Sequence, residues 1–254
     1  MNHIKHCAMA CLLAGAASGT TALADTLTCQ ITADTYIDSS NPTRNYGSSG
    51  SDKVVISSTP CRTLFDLPSA LWSYSPSDIV SATVSFYVWN DSTGNYNVSL
   101  CPLTTAFQPG TGNGTSPANG ATWNTYDGTN PWTTPGGDFD SANAVIGTKG
   151  TLGVNPGDPG GRFFTWDITS LLSNPTTEAE LQDFGAMLTI NEAPPATGQD
   201  WASFTSADST SYSAPYLPSI ELTVVPEPSA SILALLGAAG ITGLRKNRNA
   251  RRPS

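Results

Sequence analysis

The chain has 254 residues, of which 20 are acidic and 11 are basic, and charged residues make up only 12% of it. All 20 acidic residues lie between residues 25 and 228, where they are accompanied by five basic residues, so this window carries a formal charge of −15. Such a surface repels a polyanion, and nucleic acid is therefore excluded as a partner.

Residues 1–24 have the pattern of a signal peptide. Lys5 precedes an apolar stretch over residues 7–17, and an Ala-Leu-Ala sequence that signal peptidase can read ends at Ala24. We expect signal peptidase to cut there and the chain to be exported. A lipoprotein anchored at Cys11 is the weaker alternative, since almost no apolar segment precedes that cysteine.

The window over residues 25–224 is predicted to form one all-β domain. Runs of alternating and β-branched residues recur between clusters of Gly, Pro, Asn and Ser. The predicted strands are Leu27 to Ile37, Lys53 to Ser58, Cys61 to Asp66, Ile79 to Trp89, Tyr96 to Leu103, Arg162 to Asp167, Phe184 to Asn191, Trp201 to Thr205 and Ser219 to Val225. The only predicted helix is Thr169 to Leu172, with a continuation at Glu178 to Gln182. Strands joined by short turns favour an antiparallel sandwich, and most of all a jelly roll.

Residues 107–161 are predicted to form one long irregular loop. The segment is rich in Gly and Pro, yet its aromatic residues argue for order, because disordered segments are poor in aromatics. Binding residues concentrate on loops of a rigid scaffold, and sugar rings pack on aromatic planes, so Trp123, Tyr126 and Trp132 are the predicted polysaccharide contacts. The alternative is that these rings pin the loop to the domain. Three other tryptophans, Trp89, Trp166 and Trp201, are predicted to be buried.

Both histidines, His3 and His6, precede residue 25 and leave with the signal peptide. A mature chain without histidine cannot form a Ser-His-Asp or Cys-His arrangement, and the predicted function is therefore non-enzymatic. The alternative is a polysaccharide lyase or glycosidase that uses carboxylate and tyrosine chemistry. Asp138 and Asp140 are the carboxylates to test for it, against the simpler interpretation that they cap turns.

Calcium is the only cofactor predicted. Oxygen ligands from Asp34, Asp38, Asn41 and Asp208 could converge if the first strand and the strand before the C terminus are neighbours in the sheet. The alternative is an ordinary turn over residues 38–42, in which the side chains bind their own backbone.

Three cysteines remain after residue 24, namely Cys29, Cys61 and Cys101. An odd number in an oxidising compartment predicts one disulfide and one free thiol. The preferred disulfide joins Cys61 to Cys101, because both lie on predicted strands, although three pairings are possible.

A series of short motifs runs in order through most of residues 25–224. It consists of Ala33-Asp34-Thr35-Tyr36-Ile37-Asp38, Asn45-Tyr46-Gly47, Arg62-Thr63-Leu64-Phe65-Asp66-Leu67, Ile79-Val80-Ser81-Ala82-Thr83-Val84, Ala121-Thr122-Trp123-Asn124, Pro135-Gly136-Gly137-Asp138-Phe139, Phe164-Thr165-Trp166-Asp167-Ile168-Thr169 and Pro218-Ser219-Ile220-Glu221-Leu222. This order resembles the DNRLRE domain, a jelly-roll module of bacterial surface and carbohydrate-active proteins. Relatives of that family include alginate-binding modules attached to lyases, so the resemblance implies contact with polysaccharide. The chain departs from the pattern at residues 204–208, which lack the arginine that the family often shows there.

Residues 225–254 form a second recognisable signal. Pro226, Glu227 and Pro228 precede sixteen uncharged residues and then a basic cluster, which is a stop-transfer pattern with a short transmembrane helix. The segment resembles the PEP-CTERM sorting signal of Gram-negative bacteria. The resemblance implies an exosortase-type membrane peptidase as partner, transient anchoring in the inner membrane, and release of the domain to the surface. An ordinary single-pass anchor is the alternative.

These expectations combine into one prediction of function. The chain is expected to be an exported protein of the cell surface, outer envelope or extracellular matrix, with a structural or polysaccharide-binding role in a biofilm or cell envelope.

Overall fold

Twelve β-strands dominate the computed structural model, which describes residues 24–92, 96–116, 119–150, 161–190 and 198–225. The strands are β1 Asp25–Gln30, β2 Asp34–Asp38, β3 Ser51–Ile56, β4 Cys61–Phe65, β5 Ile79–Asp91, β6 Ser99–Pro102, β7 Val145–Ile146, β8 Thr148–Lys149, β9 Arg162–Asp167, β10 Ala186–Thr189, β11 Asp200–Thr205 and β12 Ser219–Val224. Two α-helices, α1 Thr169–Leu172 and α2 Pro175–Phe184, and two 3₁₀ turns, Ser69–Ser73 and Pro76–Asp78, complete the described elements. None of the helices in these ranges is long and apolar enough to cross a membrane. The predicted signal peptide, the Pro226-Glu227-Pro228 motif and the hydrophobic tail lie outside the described residues.

Every strand pair in the sheet is antiparallel. The main order is β1-β12-β5-β11-β3-β4-β10-β6-β7, with β2 beside β4, and with β9 and β8 on the other side of β5. Strands β3 and β4 share a single residue pair, Val55 with Cys61. Strands on both sides of this pair contribute side chains to one hydrophobic core. The prediction of an antiparallel, sandwich-like all-β domain is confirmed.

The main core takes side chains from both parts of the sheet. On β5 the alternate residues Ala82, Val84, Phe86 and Val88 are fully buried, as the period of two in their sequence predicts. The Phe86 ring contacts Trp166 edge to face, with 6.1 Å between ring centroids. The prediction that Trp166 is buried is confirmed.

The predicted first strand, Leu27 to Ile37, is wrong in one respect, because the structure divides it into β1 and β2. β1 pairs with β12, whereas β2 pairs with β4 in the other part of the sheet. Between the two strands the Ile31 amide donates to the Pro218 carbonyl and the Ala33 carbonyl accepts from Asp66, so the backbone changes partners there. A continuous run of strand-forming residues gives no sign of this crossing.

The second helix is longer than predicted. Asn174 caps its start by accepting a hydrogen bond from the Thr176 amide, and Pro175 occupies the first helical position, where a missing amide hydrogen costs little. Gly185, with a positive φ of 81°, ends it. The predicted helix at Thr169 to Leu172 is confirmed.

The long loop is held on the sheet by a second, smaller hydrophobic cluster. Ile37, Leu64 and Met187 of the sheet meet loop residues Phe107 and Trp132 in this cluster. Two short strands, β7 and β8, lie within the predicted loop, and the remaining described loop residues form turns and isolated bridges. The rings therefore do pin the loop to the domain.

The amide of Asn45 fastens the middle of that loop. It is fully buried and donates to the carbonyls of Pro109 (2.7 Å) and Ala121 (2.9 Å), and its Oδ1 accepts from the Gly112 amide at 2.8 Å. A Cβ on Gly110 would lie 2.5 Å from Asn45 Oδ1, so the close approach requires glycine there. One side chain thus organises the start and the end of the 109–121 segment.

The predicted disulfide between Cys61 and Cys101 is wrong, because all three described cysteines are free thiols. Cys61 lies on β4 and Cys101 on β6, with β10 between them. Two strand spacings amount to about 9–10 Å, which exceeds the Cα separation of about 7 Å that a disulfide tolerates. Sequence alone could not place β10 between the two cysteine strands.

Replacing Asn45 with alanine should lower the free energy of unfolding by about 3–5 kcal/mol, because several buried backbone groups lose their partner at once. Urea unfolding followed by circular dichroism measures the loss. Asn119→Ala is the matched control, since the Asn119 amide binds Thr111 at an exposed position. This substitution should lower the free energy of unfolding by at most about 0.5 kcal/mol. Equal losses in the two variants would contradict the role of Asn45.

Native protein should resist alkylation at Cys61 and Cys101. Burial, aided by the charge of Asp38, raises the pKa of Cys61 to about 12, and burial raises the pKa of Cys101 to about 12. Cys29, which is half-buried, should react first with iodoacetamide, and the other two only in guanidinium chloride. Peptide mass mapping reads the result, and a peptide pair linked through Cys61 and Cys101 would contradict the free thiols.

Candidate functional site

An open groove of about 310 Å³ lies beside the turn between β3 and β4. Trp201 of β11 stands opposite Val55 of β3 in the sheet register, and Val55 stands opposite Cys61 of β4. All three line the groove, and Trp201 is half-buried. The remaining lining residues are polar: Asp38, Ser40, Lys53, Thr59, Gln199 and Ser203. We call this feature the Trp201 groove.

Two charged side chains of the Trp201 groove are held in place by their neighbours. The Lys53 ammonium lies 5.4 Å from the centre of the Tyr36 ring, in a cation–π contact. Burial raises the pKa of Asp38, but hydrogen bonds from Ser40 and Asn41 outweigh it, so that this pKa lies below its ordinary value. Asp38 is therefore an ionised acceptor at neutral pH.

The Trp201 groove suits a ligand that carries both apolar faces and many hydroxyl groups. An indole ring offers a flat surface for aliphatic C–H groups, and a few polar side chains around it fix the orientation of the ligand. Lys53 and Gln199 can donate hydrogen bonds, and Asp38 can accept them. Sugars have this combination of an apolar face and a rim of hydroxyls.

The four predicted calcium ligands do not form one site. Asp34 and Asp38 stand at opposite ends of β2, about 13 Å apart along a strand. Asp38 and Asn41 belong to a self-contained turn, in which Asn41 Nδ2 donates to Asp38 Oδ2 at 2.8 Å. The alternative of an ordinary turn is right for these two residues. Nowhere in the described ranges do three Asp, Glu, His or Cys side chains already stand in an arrangement that could hold a metal ion.

Asp34 instead lies beside Asp52 of β3, which the sequence analysis did not single out. Asp34 is 2% exposed and Asp52 is 0% exposed, and Asp34 Oδ2 accepts a hydrogen bond of 2.7 Å from the Ala207 amide. Burial raises the pKa of Asp34 to about 6, and burial and the charge of Asp34 together raise the pKa of Asp52 well above its ordinary value. Asp208, on the exposed turn after β11, adds to the negative potential at both carboxyls.

The predicted sugar-binding aromatics of the long loop serve mainly to pack it. Trp132 is only 4% exposed and donates its ring hydrogen to the Thr122 carbonyl at 2.9 Å, so its face is closed to a sugar. Tyr126 packs against it edge to face at 5.8 Å. Trp123 is half-buried beneath the Arg62 guanidinium, which lies 5.2 Å from its ring. The prediction that Trp132 contacts a sugar is therefore wrong. The rings of Tyr126 and Trp123 already pack against Trp132 and Arg62, respectively.

Asp138 and Asp140 each organise a turn, as the simpler interpretation holds. Asp138 accepts hydrogen bonds from the amides of Thr133 (2.8 Å) and Thr134 (3.0 Å), and Asp140 accepts one from Ala142 (2.9 Å). The carboxylates are thus engaged with their own loop backbone.

Two aromatic residues that line grooves, Trp201 and Trp89, were not predicted as binding residues from the sequence. Trp201 and Trp89 were predicted to be buried, yet both are half-buried and each lines a groove, Trp89 together with Tyr212 and several serines. The alternation of side chains along β11 does indicate the orientation of Trp201. Ala202 and Phe204 are the buried residues of this strand, so their neighbour Trp201 must point the other way. The prediction that strand tryptophans are buried ignored this alternation.

No family model matches the chain, and no curated protein shows significant similarity to it.

The unfolding free energy of the protein in EDTA should depend on pH through the Asp34 and Asp52 pair. Because the folded state holds the proton more tightly than the unfolded state, this contribution to stability is fully present below about pH 3.8 and is lost as the pH rises through about 6, where Asp34 titrates. The difference between the folded and unfolded pKa of Asp34 corresponds to roughly 3 kcal/mol.

In Asp52→Asn the amide can donate to Asp34 without a shared proton, so the loss between pH 4 and pH 8 should shrink. Chemical unfolding at several pH values gives the comparison. Asp183→Asn, on the exposed face of α2, is the control and should keep the wild-type dependence. Parallel pH curves for wild type and Asp52→Asn would show that the pair does not titrate as described.

Proposed function

We propose that the protein is an exported component of the cell surface or extracellular matrix that binds polysaccharide through the Trp201 groove. The observation that carries this proposal is the half-buried Trp201 ring, flanked in one groove by Lys53, Asp38 and Gln199. A stacking plane with donors and an acceptor beside it is what a sugar ring requires. The function is binding, and the jelly-roll connectivity implied by the resemblance to the DNRLRE domain belongs to the same proposal.

Export is supported by the sequence at both ends of the chain. The signal peptide pattern over residues 1–24 and the PEP-CTERM resemblance over residues 225–254 both direct the domain across the inner membrane, and signal peptidase and an exosortase-type peptidase are the proposed partners. An acidic domain with few lysines suits a soluble protein outside the cell.

The half-buried Trp201 ring favours the Trp201 groove over the long loop as the binding surface. Trp132 is buried, and Trp123 already carries the Arg62 guanidinium on its ring. Six of the nine lining side chains of the Trp201 groove belong to strands β2, β3, β4 and β11, and the other three, Ser40, Thr59 and Gln199, belong to the connecting segments, so most of the groove is built on rigid elements.

Trp201→Ala should weaken binding to a recognised polysaccharide by at least about tenfold, since a stacked ring contributes on the order of 1.5 kcal/mol. Affinity electrophoresis in gels containing alginate and other bacterial or algal polysaccharides identifies the ligand and measures the loss. Protein for the test is recovered from outside the producing cells, where its intact mass reports both proteolytic cuts.

Trp89→Ala is the matched control, because Trp89 is also half-buried but lines a different groove. It should keep the affinity within about twofold. Retardation by no polysaccharide at all would overturn the proposed function, whereas loss of binding in Trp89→Ala alone would move the binding surface to the other groove.

A further inference from the structure

We propose that Asp34 and Asp52 bind a calcium ion where the start of β2, the start of β3 and the turn after β11 meet. Neither residue lines the Trp201 groove. Of the four calcium ligands predicted from the sequence, Asp38 and Asn41 have no part in this site, and Asp52 was not among the four.

The first observation is that Asp52 lacks an ordinary partner. Its side chain is completely buried, and neither carboxylate oxygen receives a hydrogen bond from an N–H or O–H group in the described structure. The polar group that faces it is the carboxyl of Asp34, with which it forms a hydrogen bond when one proton lies between the two carboxyls. When that proton leaves, two buried carboxylates face each other without a counter-ion, which costs several kcal/mol, and a bound cation removes this cost.

The second observation concerns the basic side chains of the domain. Arg162 and Lys149 both pair with Asp91, at 3.0 and 2.8 Å. Lys53 lies over the Tyr36 ring, and the Arg62 guanidinium lies between Trp123 and Phe139. Arg44 is exposed. Within the described ranges no salt bridge reaches Asp34 or Asp52, so the chain provides no cation of its own for this pair.

The third observation is the position of the turn after β11. β11 pairs with β3 so that Phe204 stands opposite Asp52, and the chain then turns past Asp34 through Ala207 to the exposed Asp208. Calcium takes six to eight oxygen ligands in flexible geometry, from carboxylates, backbone carbonyls and water. Asp34 and Asp52 supply two buried carboxylates, and Asp208 adds negative potential without standing as a third ligand.

Calcium suits this site better than magnesium. Two buried carboxylates leave most of the coordination to backbone carbonyls and water, and calcium tolerates such irregular coordination, whereas magnesium demands near-ideal octahedral geometry. The ion would take the place of the proton that the two carboxyls otherwise share.

Thermal melts of the full chain at pH 7.5 test the proposal. Relative to EDTA, 5 mM CaCl₂ should raise the Tm of the wild type by about 5–10 °C if the ion is bound near saturation. The same concentration of MgCl₂ should have a clearly smaller effect. Asp52→Asn and Asp34→Asn should each lose the calcium-dependent shift in Tm. Two variants are made because the comparison requires only one of them to fold.

Asp183→Asn, which changes an exposed helix residue, should keep the full shift. Coincident wild-type melts in calcium and EDTA would overturn the proposal and leave the pair sharing a proton. A calcium shift that survives in both Asp52→Asn and Asp34→Asn would overturn it too, because the ion would then bind elsewhere. Polysaccharide binding is measured separately, so its presence or absence does not decide this result.

Discussion

The single residue pair Val55–Cys61, which joins β3 to β4, is the constraint on which both candidate sites depend. Val55 and Cys61 both line the Trp201 groove, and Trp201 stands opposite Val55. Strands on both sides of the pair supply side chains to one hydrophobic core. β2 pairs with β4 and β3 pairs with β11, and Asp34 of β2 lies beside Asp52 of β3.

Basic side chains are scarce in this domain, and the structure uses most of them for a defined task. The carboxylate of Asp91 joins β5 to β8 and β9 through Lys149 and Arg162, with Tyr96 donating to the same carboxylate at 2.9 Å. Arg62 lies between two rings of the long loop. Both salt bridges of the described residues go to Asp91. The buried carboxyl of Asp38 is instead satisfied by hydrogen bonds from its own turn, whereas the oxygens of Asp52 receive none from the surrounding N–H groups.

Much of the fold could be predicted from sequence, because period-two alternation and turn residues are local signals. β9 and α1 have the predicted bounds, and most other predicted strands overlap with the observed ones. Strand order is not local, and two errors follow from it: Cys61 and Cys101 are separated by β10, and the predicted calcium ligands are divided between two places. The burial of Trp201 was wrongly predicted for a different reason. Alternation along β11 indicates that Trp201 points away from the core, but the prediction assumed that a tryptophan in a strand is buried.

The first and last strands of the domain also bear on how it responds to force. Asp25, which begins β1, stands opposite Val224, which ends β12, so the backbone enters and leaves the domain at the same corner of the sheet. The two strands are antiparallel and their hydrogen bonds run across them. Tension applied to both ends would load these bonds one after another, like a zipper, and would peel β1 from β12. A load carried between one end and a ligand bound in the Trp201 groove would take a different path, because it would pass through β11 and its neighbours in the sheet.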